Sequence, residues 1–113
     1  MEQITTLWFV FRIKDGDVLN CSMATLSRES ARQRMLDVAE NDIDDDTVWY
    51  RLQKYYYPGI LNKGQRIHIV VRSDDVNYYA LMIESVVDQF ALIPAYIQDN
   101  EDDYWIEDIE ITE

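Results

Sequence analysis

Cys21 and His68 are the chain's only thiol and only imidazole, the two side-chain types that most often do nucleophilic or metal chemistry. A Cys–His or Ser–His pair would need His68 to orient or deprotonate its partner. His68 falls mid-run in Arg66 to Arg72, where the alternating pattern makes it an outward strand residue. Cys21, between Leu19 and Met23, reads as a small core hydrophobe. One imidazole and one thiol cannot build a His/Cys zinc site from a single chain, and a lone Cys excludes an intramolecular disulfide, which suits a reducing cytosol. No Gly-rich phosphate loop, nucleophile elbow or zinc-protease helix motif occurs. The sequence therefore predicts no enzyme activity, no cofactor and no metal.

The carboxylates are the remaining chemistry. Asp and Glu number 22 against 10 Lys and Arg, a formal net charge of −12 over 113 residues. Residues 1–72 hold ten of the acids and all ten bases and sum to zero, whereas residues 73–113 hold twelve acids and no base. A second acidic island interrupts the neutral part: Asp37, Glu40, Asp42, Asp44, Asp45 and Asp46 lie between Arg34 and Arg51. Glycosidase or metal-nuclease chemistry needs acids held in a dry cleft beside groups that position substrate. These acids come instead in loops and charge runs, the pattern of a solvated acidic face. Asp99, Glu101, Asp103, Glu107 and Glu110 stand at positions 1, 3, 5, 9 and 12 of a twelve-residue stretch that resembles an EF-hand loop, with Ile106 at position 8. Position 6, where that loop needs Gly for its sharp turn, is Tyr104, and only three residues follow Glu110. Asp42, Asp44 and Asp46 fit positions 1, 3 and 5 of a second such loop but lack its Gly and final Glu.

Aromatic residues adjoin both islands. Trp49, Tyr50, Tyr55, Tyr56 and Tyr57 follow the first, and Tyr104-Trp105 is embedded in the second. One element can bury only part of such a cluster, and rigid amphipathic rings surrounded by charge are the composition of a protein-binding hot spot. The expected partner-binding set is Asp42, Asp44, Asp45, Asp46, Trp49 and Tyr50 from the first island, and Asp99, Glu101, Asp102, Asp103, Tyr104, Trp105, Glu107, Asp108 and Glu110 from the second.

The elements that must position these residues follow from hydrophobic period. Residues 4–13 place Leu7, Phe9, Phe11 and Ile13 on one strand face, with Trp8 and Val10 making the other face apolar too, as in a central or covered strand. Lys14-Asp15-Gly16-Asp17 turns the chain into a second strand, Val18 to Ala24, with Leu19, Cys21 and Met23 inward. Ser27 caps a helix over about 27–40 whose stripe is Ala31, Met35, Val38 and Ala39. After the acidic loop, Asp46 or Thr47 caps a short helix carrying Val48, Trp49, Leu52 and Tyr56 and ending at Pro58-Gly59; a strand over 49–57 is the rival, because the tyrosine triplet is β-prone. A turn at 62–65 leads to a strand, Arg66 to Arg72, with Ile67, Ile69 and Val71 inward. Ser73 caps a third helix carrying Val76, Tyr79, Ala80, Ile83, Val87 and Phe90, and residues 104–112 form a last strand at an edge or with a bulge. The order predicts a single α+β domain over residues 1–113, with a four-stranded, mainly antiparallel sheet and helices on one face.

The N-terminal residues lack a basic region before an apolar stretch, and no run is long enough to span a bilayer, so a cytoplasmic protein is expected. Strong acidity repels phosphate backbones and anionic lipid, which disfavours direct binding of nucleic acid or membranes and points to a basic protein surface as partner. The expectation is a non-catalytic inhibitor that mimics nucleic acid and blocks the basic site of a nuclease, restriction complex or CRISPR effector. Short length, acidity and the absence of a catalytic set are similar to phage-encoded defence inhibitors. The alternatives are an immunity protein or antitoxin that neutralises a cationic nuclease toxin, and a structural adaptor subunit whose doubly apolar first strand forms a homodimer or other interface.

Overall fold

The computed structural model describes residues 3–14, 17–45, 47–72, 82–100 and 102–112. Among these, the chain runs β1 (Ile4–Lys14), β2 (Asp17–Thr25), α1 (Arg28–Asn41), β3 (Val48–Pro58), β4 (Arg66–Arg72), β5 (Met82–Val87), a single 3-10 turn (Phe90–Leu92), α2 (Ala95–Gln98) and β6 (Tyr104–Thr112). The strands form one mixed sheet in the order β3-β1-β2-β6-β4-β5. This corrects the expected α+β layout: six strands dominate, and the helices lie on different parts of the sheet.

Two antiparallel halves make up the sheet. In one, β1 sits between β2 and β3; in the other, β4 sits between β5 and β6. A short parallel pairing joins them, Ala24 with Ile111 and Thr25 with Thr112. One core cluster draws Leu7, Phe9, Phe11 and Ile13 from β1 together with Ile67, Ile69 and Val71 from β4 and Val86 from β5. Strands that far apart in the order share a core only if the sheet curls and brings its halves face to face. Trp105 on β6 and Phe11 on β1 meet in a T-shaped contact with ring centroids 6.4 Å apart.

The inward residues of β1 and β4 are the expected ones, and on β2 the expected Cys21 faces the core but Met23 does not, the Leu19 side chain lying outside the described residues. The pairing of β2 with β1 slips twice: Phe9 pairs with Ala24 and Val10 with Met23, but Phe11 pairs with Cys21 and Ile13 with Val18. Each slip is a bulge that inserts one residue and reverses the facing of the residues beyond it. Val18, Cys21 and Ala24, spaced by three, therefore face the core, while Met23 follows Val10 to the outer surface. The Asp15-Gly16 turn lies outside the described residues.

Two expected helices are corrected to strands. Residues 48–58 pair with β1 along its whole length, so the strand reading of the tyrosine-rich segment holds, with Tyr55 and Tyr57 packed against the core. β5 stands where the third helix was expected to continue, the earlier part of that helix lying outside the described residues. A bulge between Val70 and Val71 leaves Glu84 unpaired, so Ile83 and Val86 both reach the core despite helical spacing. β6 is an interior strand in unbroken register with β4 rather than a bulged or edge strand. Its imperfect alternation has another cause, since both faces are covered: Trp105 and Ile109 pack on the main core, Tyr104 and Ile106 on a second cluster of Val70, Ile93 and Ile97.

α1 begins as expected, with the Ser27 hydroxyl accepting from the Ser30 N–H, and covers the outer face of β1, β2 and β3, burying Ala31. Gly64 turns the chain at φ +90° and donates its N–H to Ile111, extending the β4–β6 pairing. No helix among the described residues is long and apolar enough to cross a membrane.

The bulged register of β2 predicts that Ala24→Leu overpacks the core and costs about 1–3 kcal/mol, whereas Met23→Leu costs less than about 1.5 kcal/mol. Urea unfolding of both variants checks this; the reverse ranking would restore regular alternation.

Candidate partner-binding site

The strand directions decide where the acidic islands go. Lys14 at the end of β1 pairs with Val48 at the start of β3 and with Asp17 at the start of β2. β2 and β6 are parallel, so the start of β6 at Tyr104 points the same way as the start of β2. The loop entering β3 carries Asp42, Asp44 and Asp45 of the first island and the loop entering β6 carries Asp99, Asp102 and Asp103, so both loops sit at one end of the sheet.

The two loops differ in how their charge is used. In the first, Asp42 ends α1 and takes two bonds from Arg12 of β1, Nε to Oδ2 at 2.7 Å and Nη2 to Oδ1 at 2.6 Å. The Tyr50 hydroxyl lies against the same carboxylate and 3.0 Å from the Val38 carbonyl oxygen. α1 has no basic residue in its last turn, and Arg12 brings a cation to that negative end of the helix from the neighbouring strand. Hydrogen bonds from Arg12 and then Tyr50 hold the Asp42 carboxyl below its usual range, and the bonds with Asp42 and then Tyr50 raise Arg12. Asp45 accepts from the Thr47 hydroxyl at 2.6 Å and from Lys14 Nζ at 3.1 Å, and these contacts lower it to about 2. Asp42, Asp45 and Tyr50 thus lock the loop to β1. Asp44 stays exposed next to Ile43, which is 80% exposed, and Trp49 is 37% exposed on the same face of the sheet as its register partner Ile13. Asp46 lies outside the described residues.

The second loop is open. Asp99 caps α2 and is exposed, as are Asp102 and Asp103, and none of the three has an ion pair among the described residues. Asn100 shapes the turn, donating to Asp103 Oδ2 at 2.9 Å and accepting from the Asp103 N–H at 3.3 Å. Glu101 lies outside the described residues. Asp108 and Glu110 are on the outer face of β6, Asp108 meeting Arg66 at 3.1 Å in an exposed pair.

Glu107 faces inward and is half-buried. β2 and β6 separate beyond their short parallel joint, and the Glu107 carboxylate spans the gap by accepting the Cys21 N–H at 2.6 Å. Burial raises the Glu107 carboxyl despite that bond, and burial together with the Glu107 charge pushes the Cys21 thiol up to about 12. Cys21 is therefore an inert core thiol. Trp105 also belongs to the core. The described members of the expected set thus divide into structural ones (Asp42, Asp45, Tyr50, Trp105 and Glu107), exposed ones (Asp44, Trp49, Asp99, Asp102, Asp103, Asp108 and Glu110) and the half-buried Tyr104, which packs on the second cluster. Glu107 and Glu110 lie on opposite faces of β6, and no three His, Cys, Asp or Glu side chains converge on a metal position among the described residues.

A groove of about 620 Å³ opens between β4, β6 and α2, within the range of small-ligand sites. His68, Phe90, Gln98, Tyr104, Ile106 and Asp108 are on its walls. The loop of Asp99 to Asp103 joins two of those walls. No family model, curated protein or solved structure matches this chain. The chemistry of this end of the molecule is therefore the ground for any functional reading.

Sequence reasoning placed Tyr104 and Asp108 here but missed His68, Phe90 and Gln98. The sequence pattern puts Phe90 in a helical stripe; instead its ring meets His68 edge-on at 5.6 Å. The signal for His68 is its outward facing on a strand whose inward positions are all apolar.

Asp42 and Glu107 predict opposite pH signatures. The Asp42 carboxyl is lowered on folding, so its contribution is present above the ordinary carboxylate range and is lost as pH falls through the folded value. Glu107 is raised, so its charged form opposes folding at neutral pH and protonation relieves this as pH falls. Urea midpoints between about pH 2 and 7 should show Asp42→Asn less stable than the parent at neutral pH, with the gap closing in acid. Glu107→Gln should match or exceed the parent at neutral pH and lose that advantage in acid.

Proposed function

We propose that this chain is a non-catalytic binding protein whose acidic end docks on a basic surface of another protein. The single observation that carries the reading is the common end of the two acidic loops, fixed by the parallel joint of β2 and β6. A carboxylate array steers a cationic partner toward that end and raises the association rate. Exposed Trp49 and the aromatic walls of the groove supply apolar contact once the partner has arrived. The two loops have different roles: the first is held by Arg12 and Lys14 and shapes the surface, while Asp99, Asp102 and Asp103 on the second have no ion pair among the described residues.

The basic surface with the best complement to such an array is a nucleic-acid site, because carboxylates can take the place of phosphates on its Lys and Arg side chains. The chain on this reading is a nucleic-acid mimic that occludes a nuclease, restriction or CRISPR complex, as phage-encoded defence inhibitors do. It would act in the compartment of that complex, the cytoplasm.

Capture of partners from a lysate at low and then high salt, with nucleic acid as competitor, tests the proposal. A nucleic-acid enzyme released by salt and displaced by its own substrate is the expected result. Joint replacement of Asp99, Glu101, Asp102 and Asp103 by Asn and Gln should weaken that complex by roughly tenfold or more at low salt, about 1.4 kcal/mol, and flatten its salt dependence. Replacing Asp44 alone should do much less. Unchanged affinity at low salt removes the second loop from the interface, and a salt-resistant partner indifferent to nucleic acid replaces inhibition with an adaptor role.

A further inference from the structure

We propose that the groove between β4, β6 and α2 is the seat for an arginine side chain of the basic partner, an assignment that rests on the proposed docking function. Its geometry combines three features that a guanidinium uses together. Phe90 and Tyr104 stand on its walls, and aromatic faces attract a planar cation within about 6 Å of the ring. Ile97 and Ile106 provide an apolar lining for the methylene stem. Asp108 offers a carboxylate that a guanidinium can grip in a fork.

Two bases of this chain border the groove, Arg72 opposite Tyr104 in the β4–β6 register and Arg66 beside Asp108, and neither lines it. Arg66 reaches Asp108 from the side through Nε alone, at 3.1 and 3.4 Å to the two oxygens, and both side chains are about half exposed or more. Exposed pairs of this kind are weak, and a carboxylate accepts from more than one cation. His68 stands directly across from Asp108 in the β4–β6 register and holds Phe90 by an edge contact, so the aromatic wall is fixed to the strand that carries it. The Gln98 side chain is committed to the Ile93 carbonyl oxygen at 2.7 Å, which anchors α2 as the opposite wall. Charge chooses the occupant. Asp99, Asp102 and Asp103 carry exposed carboxylates on the loop that links the α2 and β6 walls, so anionic ligands are repelled and cationic ones gathered. Arginine is preferred to lysine because its planar group stacks on a ring and grips a carboxylate at once, whereas an ammonium is a strongly hydrated point charge.

The test titrates the intact protein with Nα-acetyl-arginine methylamide, its lysine counterpart and its uncharged citrulline isostere, reading the His68 and Trp105 ring signals by NMR. The expected result is a saturable shift with the arginine compound, at least fivefold weaker binding of the lysine compound, and no saturation with citrulline. Asp108→Asn, with signal dispersion showing that it remains folded, should abolish saturation by the arginine compound. Equal binding of citrulline overturns recognition of charge and makes the groove a site for neutral ligands. The absence of any shift across the solubility range, or shifts unaffected by Asp108→Asn, overturns the seat. Failure of the broader reading appears elsewhere: if the arginine compound fails while partner capture remains salt-dependent through Asp99 to Asp103, the seat alone is lost. If the compound binds while capture ignores that loop, the seat stands and the docking end is wrong.

Discussion

The fold depends on a joint only two residue pairs long. Ala24 with Ile111 and Thr25 with Thr112 are the parallel contacts that make two antiparallel halves into one sheet. Side chains reinforce it: the Thr112 hydroxyl lies 3.3 Å from the Ala24 carbonyl oxygen, and the fully buried Thr25 accepts the Ser27 N–H at 3.2 Å. Ser27 then caps α1, so the joint also sets where the helix begins. Past the joint the two strands part, and the Glu107 carboxylate takes the Cys21 N–H that a neighbouring strand would otherwise satisfy. Leaving that N–H unsatisfied in a half-buried place would cost free energy, which is why a charged residue is tolerated on an inward face.

The direction of the joint decides where the acidic loops lie. An antiparallel joint would have sent the loop before β6 to the opposite end from the loop before β3, spreading the acidic islands over both ends of the molecule. The parallel one gathers them. Within the gathered end, bases decide which acids remain available. Arg12 and Lys14 are the last bases before the first turn, and both are spent on the loop between α1 and β3. No base follows Arg72 in the sequence, and although exposed Arg72 stands opposite Tyr104 where the loop between α2 and β6 ends, Asp99, Asp102 and Asp103 make no ion pair among the described residues. The charge asymmetry along the chain thus becomes a difference between a structural loop and an open one.

Strands with unbroken alternation were legible in the sequence. Leu7, Phe9, Phe11 and Ile13 lie on one face, as do Ile67, Ile69 and Val71, and the structure buries all seven. Bulges defeated the rest. They convert a spacing of two into a spacing of three at Val18, Cys21 and Ala24, and they let Ile83 and Val86 imitate a helix from within a strand. None of these bulges is marked by Gly or Pro, so nothing local announces them. The segment 48–58 was ambiguous for another reason: its aromatics suit either period, and only the open edge of β1 selects the strand. For the site, sequence located the acids and two of the rings, but not Arg12 against Asp42, which are 30 positions apart. Nor could it show that Phe90 and His68 meet, because that contact needs the turn after β5 to fold back over β4.

Amide hydrogen exchange of this chain, alone and bound to the captured partner, tests the central claim that the parallel joint makes one acidic binding end. The account predicts new protection in the loops entering β3 and β6 and in the groove strands near Tyr104, with exchange unchanged around Pro58 to Gln65 at the opposite end. Protection centred on Pro58 to Gln65, with the acidic loops unaffected, would contradict it.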